Sequence, residues 1–137
     1  MASNYKAAKL KYHDIREGDF FAFDRKIGRK DILEFSKLTG DFNSLHIKDN
    51  VAHGMLSGSL FSVLVGMHCP GERSLYLNQT LNFRHPIYAG DRVTVRGTVI
   101  NKSDSTEVIT LKTEILKKGK VMVDGEAKVK VRVLDHE

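Results

Sequence analysis

The hydrophobic rhythm of the chain changes once, near Cys69. Beyond that point it has period two. Leu75, Leu77, Leu81 and Phe83 fall on one side of an extended segment, with Tyr76, Asn78, Thr80 and Asn82 on the other. Val93, Val95 and Val99 alternate with Arg92, Thr94, Arg96 and Thr98, and Ile109, Leu111, Thr113 and Ile115 alternate with Thr110, Lys112 and Glu114. The last run is the longest, with Val121, Val123, Ala127, Val129, Val131 and Val133 inside and Glu126, Lys128, Lys130 and Arg132 outside. Strict alternation is the signature of half-buried strands. Turns at Asn101 to Ser105 and at Lys118-Gly119 are short enough to make the later strands antiparallel hairpins, while Pro86 and Gly90 mark a longer connection.

Before Cys69 the periods are different. Met1 to Gly18 is polar with scattered apolar points, an arm expected to lie over the domain. Asp19 to Lys26, aromatic and β-prone, predicts a first strand that Gly28 ends. Ile32, Leu33, Phe35 and Leu38 then mark one face of a short amphipathic helix over Lys30 to Gly40, with Asp31 near its start and Gly40 at its C-cap. A polar loop follows, carrying Asp41, Asn43 and His46. From Val51 to Cys69 there is no Asp, Glu, Lys or Arg, which predicts a helix over Ala52 to His68 that is apolar nearly all round and therefore buried. Its length of about 25 Å and its Gly and Ser content do not suit a membrane span. Gly54, Gly58, Ser62 and Gly66 recur every fourth position, a row that lets another backbone approach or leaves room for a slender ligand. One uncharged helix and several two-faced strands make an α+β fold, a strongly twisted antiparallel sheet curled around a central helix. Residues 1–137 read as a single domain, and the patterned strand Leu75 to Phe83 beside the helix is the expected site of pairing in a homodimer.

Composition narrows the partners. With 137 residues, 41% hydrophobic and 28% charged, the chain is long enough to build a core without disulfide or metal staples. A formal charge of +5 suits a polyanion, either nucleic acid or the phosphates of a nucleotide-bearing molecule. Much of the excess Lys and Arg lies at the N-terminus and on the outer positions of strands, where it reads as a solvated face. No nucleic-acid motif or phosphate-binding glycine loop appears, so neither nucleic acid nor membrane is expected as a partner. The single cysteine, Cys69, excludes an internal disulfide and fits a reducing compartment. With no apolar run of signal-peptide length at the N-terminus, the expected location is the cytoplasm.

The candidate chemistry sits on the loop before the uncharged helix. A carboxylate beside an imidazole, here Asp41 and His46 with Asn43 between them, supplies an acid and a base that work near neutral pH. Asp and Asn are also ordinary turn and capping residues, so the spacing by itself carries both readings. Gly54 adds to the case, because amides in the first turn of a helix lack intrahelical partners and glycine allows close approach to a developing oxyanion. His53 is expected to fix the turn by a hydrogen bond. His46, Asp49 and His53 match no usual ligand spacing, so no metal is expected. Ser57-Gly58-Ser59 does not make a nucleophile elbow.

The run Leu38-Thr39-Gly40-Asp41-Phe42-Asn43-Ser44-Leu45-His46, with Ala52-His53-Gly54-Met55-Leu56 after it, resembles the MaoC-like family of (R)-specific enoyl-CoA hydratases. Pro70-Gly71, Tyr76-Leu77-Asn78-Gln79, Phe83-Arg84-His85-Pro86 and Gly90-Asp91 are similar to landmarks of the same family. The resemblance implies a hot-dog fold, usually as a homodimer, and reversible addition of water to a trans-2-enoyl thioester to give the (R)-3-hydroxyacyl product. The thioester, on CoA or on an acyl carrier protein, would be a substrate, and no cofactor is implied. By match of motif, Asp41 and His46 would be the catalytic pair and Asn43 would help orient the water. Gly54 would offer its amide to the thioester carbonyl, and Ser62 would support the carboxylate. A non-catalytic acyl-thioester binding module and a thioesterase are the competing roles for such a fold. Two departures stand out: Ser44 replaces the proline usual in the motif, and only Ile47 to Ala52 separates His46 from His53, where the family has a longer insertion over the acyl tunnel.

Overall fold

The computed structural model describes residues 5–135 and 137, so residues 1–4 of the expected arm lie outside the described residues. Strands β1 (Phe20–Lys26), β2 (Ser74–Gln79), β4 (Arg92–Ser103), β5 (Val108–Lys117) and β6 (Lys120–Val131) form one antiparallel sheet in the order β1-β4-β5-β6-β2, and the two-residue β3 (Asn82–Phe83) also pairs with β6. Three helices precede β2: α1 (Arg29–Thr39), the single turn α2 (Ser44–Ile47) and α3 (Gly54–Val63), which runs on into a π-helical turn at Leu64–His68. Among the described residues no helix is long and apolar enough to cross a membrane.

The α+β hot-dog arrangement follows from where the apolar side chains meet. Leu60, Phe61, Leu64 and Val65 of the central helix face a sheet surface built from Val93, Val95 and Val99 on β4, Ile109, Leu111 and Ile115 on β5, and Val123, Ala127 and Val129 on β6. Each such side chain, fully buried, contributes roughly 1.5–3 kcal/mol of transfer free energy. Gly97 lies where helix and sheet come closest. A Cβ there would stand 2.6 Å from Leu64 Cδ2, so a glycine interrupts the alternation of valines where the Leu64 side chain takes the space. The arm closes one end of this core, with Tyr12 and Ile15 buried, the Tyr12 hydroxyl donating to Asp104 (2.6 Å) and Lys102 Nζ donating to the Ile15 carbonyl (2.5 Å).

Four expectations change. First, α3 is not buried all round, because the sheet and α1 cover only part of it. Met55 is 60% exposed, and Ser59 and Ser62 at helical spacing from it are exposed too. Its start is also later than Ala52, whose N–H is taken by the Ile87 carbonyl (2.7 Å). Second, the segment Leu75 to Phe83 is not one regular strand. Tyr76 pairs with Val129 but Asn78 with Lys128, a register shift that skips Leu77, and Leu75, Leu77 and Phe83 are all about half exposed. A bulge of this kind reverses which side chains face the core, so period two cannot be carried across it. Third, β6 ends at Val131, leaving Val133 outside the core, while Met122 is buried. Fourth, β4 continues to Ser103 through a second shift near Ile100, which moves the hairpin turn past the expected Asn101.

Candidate functional site

The site is assembled where α1, α2 and α3 begin or end. Gly40 closes α1 with φ of 86°, a left-handed conformation that glycine adopts without strain, and its N–H bonds to the Ser36 carbonyl. That turn releases the chain at Asp41. Asp41 Oδ1 accepts from the Asn43 N–H (3.1 Å), and Asn43 Oδ1 in turn accepts from the Leu45 N–H (3.0 Å), capping α2. The Asp-x-Asn spacing therefore builds the one-turn helix that delivers His46. Asn43 uses one lone pair of its carbonyl oxygen in that cap, and its amide nitrogen stays available as a donor.

His46 is buried, and its Nδ1 lies 2.7 Å from the Val51 carbonyl. A carbonyl only accepts, so Nδ1 carries the hydrogen, and in the neutral ring Nε2 presents a lone pair. Asp41 Oδ2 stands 3.8 Å from that Nε2, on a side chain that is half exposed. The gap is too long for a direct hydrogen bond and matches the base of a triangle whose apex is a water within bonding distance of both. His53, at the entrance to α3, stacks on His46 with ring centroids 3.8 Å apart. It is nearly inaccessible, and its Nε2 faces Ser36 Oγ (3.0 Å) and the Asp41 carbonyl (3.1 Å).

Gly54 opens α3 directly after His53, and His53 does not cap the helix with its side chain. The first amides of α3 consequently have no intrahelical acceptor and carry the positive end of the helix dipole. Gly54 and His46 line one cleft of about 360 Å³, together with Ala52, Ser57, Phe83 and Ile87. Phe83 closes over Gly54 so tightly that a Cβ would meet its ring at 3.0 Å. Ser62, on the other hand, is exposed two helical turns further along, about 12 Å by helical rise. No hydrogen bond joins it to Asp41 among the described residues, whose carboxylate contacts Asn43 and His46 instead, so support of the carboxylate by Ser62 is not borne out by this geometry. Asp41, His46 and His53 each bring a possible ligand atom within 4.8 Å of the others. His53 Nε2 faces Ser36 and the Asp41 carbonyl and His46 Nδ1 faces the Val51 carbonyl, and Asp49 is not part of the cluster.

The short connection between His46 and His53 is held without the insertion expected there. Arg29 Nη1 donates to both the His46 carbonyl (3.2 Å) and Asn50 Oδ1 (2.5 Å), Asn50 takes a left-handed φ of 58°, and Val51 bridges to Tyr88. Ser36 and Arg29, which hold this site from α1, were not legible as site residues. The only signal was the placement of Ser36 four residues after Ile32, on the buried face of α1. Leu38, assigned to that face by periodicity, is in fact exposed at the end of the helix.

Comparison with known proteins agrees with this arrangement. An (R)-specific enoyl-CoA hydratase of Rhodospirillum rubrum is 35% identical over 130 positions, covering 88% of this chain and 90% of the relative. An (R)-specific enoyl-CoA hydratase of Aeromonas caviae is 36% identical over 118 positions, covering 78% and 88%. The solved structure described as an (R)-hydratase from A. caviae involved in PHA biosynthesis superposes with a TM-score of 0.82 at 34% identity, over 85% of this chain and 97% of that one. An unliganded R-hydratase from Pseudomonas aeruginosa gives 0.87 at 29% identity, over 93% and 89%. The family model described as MaoC like domain matches residues 16–121. Fold, site and relatives converge, and the chain belongs to the MaoC like domain family.

Proposed function

We propose that this protein is an (R)-specific hydratase, adding water reversibly to a trans-2-enoyl thioester to give the (R)-3-hydroxyacyl thioester. The observation that carries the reading is the pair of bare acceptors, Asp41 Oδ2 and His46 Nε2, 3.8 Å apart beside the first turn of α3. A water between them donates to both, and one of the two takes its proton. Attack of the water oxygen on C3 forms the C–O bond and moves the π electrons onto the thioester oxygen as an enolate. The Gly54 amide is suited to stabilise that oxyanion, and as the enolate collapses the proton taken from the water is delivered to C2, leaving both acceptors bare again. Asp41 and His46 are thus the proposed catalytic pair, with the Asn43 amide helping to orient the water and Gly54 binding the carbonyl. Addition to a conjugated thioester needs acid, base and oxyanion stabilisation, so the reading calls for no cofactor and no metal.

CoA is the favoured carrier. The same chemistry run backwards on a 3-hydroxyacyl group attached to an acyl carrier protein is the alternative. A homodimer belongs to the proposal, because β2 is an edge strand with Leu75 and Leu77 about half exposed and its outer side free for antiparallel pairing with a second copy. We place the enzyme in the cytoplasm, supported by a single buried, unpaired cysteine. The test is the loss of enoyl absorbance of crotonyl-CoA with free thiol followed in parallel. Hydration without thiol is expected. Thiol release would indicate a thioesterase, and binding with neither change would reduce the protein to an acyl-thioester binding module. A monomeric mass in solution at micromolar concentration would remove the dimer from the reading.

A further inference from the structure

We infer that His53 is a positioning residue for both members of the acid/base pair, an inference that rests on the hydratase reading and adds a residue to it. Two contacts carry it. Its Nε2 faces two oxygens, the Asp41 carbonyl at 3.1 Å and Ser36 Oγ at 3.0 Å. Because a carbonyl cannot donate, the hydrogen is assigned to Nε2, and the bond ties the Asp41 backbone to the start of α3. The imidazole face, meanwhile, lies on the His46 ring, with centroids 3.8 Å apart and planes 24° from parallel. One side chain therefore sets where the carboxylate leaves the loop and how the neighbouring imidazole is tilted.

Its own place is over-determined from behind. Ser36 is fully buried on α1, and the Phe35 ring packs on His53 with centroids 4.8 Å apart. His53 Nδ1 is buried without a hydrogen-bond partner, although a histidine at the N-cap could have turned an acceptor toward the open amides of α3. The ring is instead turned toward Asp41 and His46, leaving those amides to the cleft. A residue that served only to fix the turn would be expected to cap it. The connection from His46 to His53 is six residues, and besides the stacked His53 ring the His46 imidazole is held by the Val51 carbonyl at Nδ1, while its backbone bonds Asn43 and Arg29. Misplacing a reacting group by about 1 Å can cost on the order of a hundredfold in rate.

Three variants separate the two contacts. His53→Gln keeps an N–H donor and loses the ring, His53→Phe keeps a ring and loses the donor, and His53→Ala loses both. With crotonyl-CoA, kcat is expected to fall roughly a hundredfold for Ala and about tenfold for Gln and for Phe, with KM held within about threefold. A folded His53→Ala protein with unchanged kcat, or a rise in KM alone, would overturn the inference. If the Ala variant does not fold, unchanged kcat in Gln and in Phe would do the same. Long-range 1H–15N correlation spectra of the imidazoles in the intact protein give a readout independent of turnover. His53 is expected as the Nε2–H tautomer and His46 as Nδ1–H, with the His46 ring 1H and 15N shifts displaced in His53→Gln as the stacked ring is lost. An Nδ1–H tautomer for His53, or a His46 spectrum indifferent to the substitution, would refute the positioning role. A wild-type protein that hydrates nothing yet shows both tautomers would sink the hydratase reading instead.

Discussion

Gly54→Ala tests the cleft at its tightest point. An added Cβ would lie 3.0 Å from Phe83 Cε1, 3.1 Å from Cζ and 3.2 Å from Cδ1, so one edge of the ring must withdraw by about 0.5 Å to reach ordinary contact. That strain is of order 1–3 kcal/mol, and the helix-propensity gain of Ala over Gly, about 1 kcal/mol in a helix interior, offsets less of it at the first residue of α3, so stability is expected to fall by about 1–2 kcal/mol. The amide N–H survives, but the methyl group and the displaced ring crowd the space in front of it, and kcat/KM is expected to drop between ten- and a hundredfold. Gly58→Ala is the matched control. Its Cβ would meet Leu81 at 3.0 Å, the same crowding one turn further along α3. Thermal unfolding of both variants, with initial rates of crotonyl-CoA hydration, separates the two effects. Similar losses of stability with activity lost only at position 54 are expected. Full kcat/KM in Gly54→Ala, or equal activity losses in the two variants, would refute the assignment of the carbonyl to the start of α3.

Asp41→Asn and His46→Ala are each expected to lower kcat by about two or more orders of magnitude in the same assay, as befits general acid/base groups. Arg29→Ala removes the clasp on the His46 carbonyl and Asn50 and should cost about 1 kcal/mol, read by chemical denaturation, with faster amide hydrogen exchange over residues 45–52. Asp91 provides the pH test. Burial pushes its carboxyl up, but the Lys117 ammonium at 2.8 Å and the Tyr88 N–H outweigh this and hold it below the ordinary carboxylate range. A depressed folded-state value means stability that is present above the unfolded value and lost as pH falls through the folded one. Asp91→Asn should therefore destabilise by about 1–2 kcal/mol at pH 7, with the difference from wild type shrinking below pH 4. A difference constant between pH 7 and pH 3 would remove the carboxylate from the turn's stability.

Local chemistry determined a great deal here. Val93, Val95 and Val99, and Ile109, Leu111 and Ile115, face the core where period two places them, because strand geometry allows no other assignment once one face is buried. Gly40 ends α1 for a reason internal to the turn, and the Asp41, Asn43 and His46 spacing specifies its own nested hydrogen bonds. Both were legible because their partners lie within a few residues. What tertiary structure decided involves partners far apart in the chain or a surface whose coverage is a global property. Ser36 and His53 meet across 17 residues, and Gly97 is shaped by Leu64 on another element. Absence of charge from Val51 to Cys69 cannot say which side of α3 the sheet will cover, so Met55 and Ser62 point outward although the segment reads as buried. The shift after Tyr76 is set by pairing with β6, and pairing with a strand fifty or more residues away is invisible to any local period.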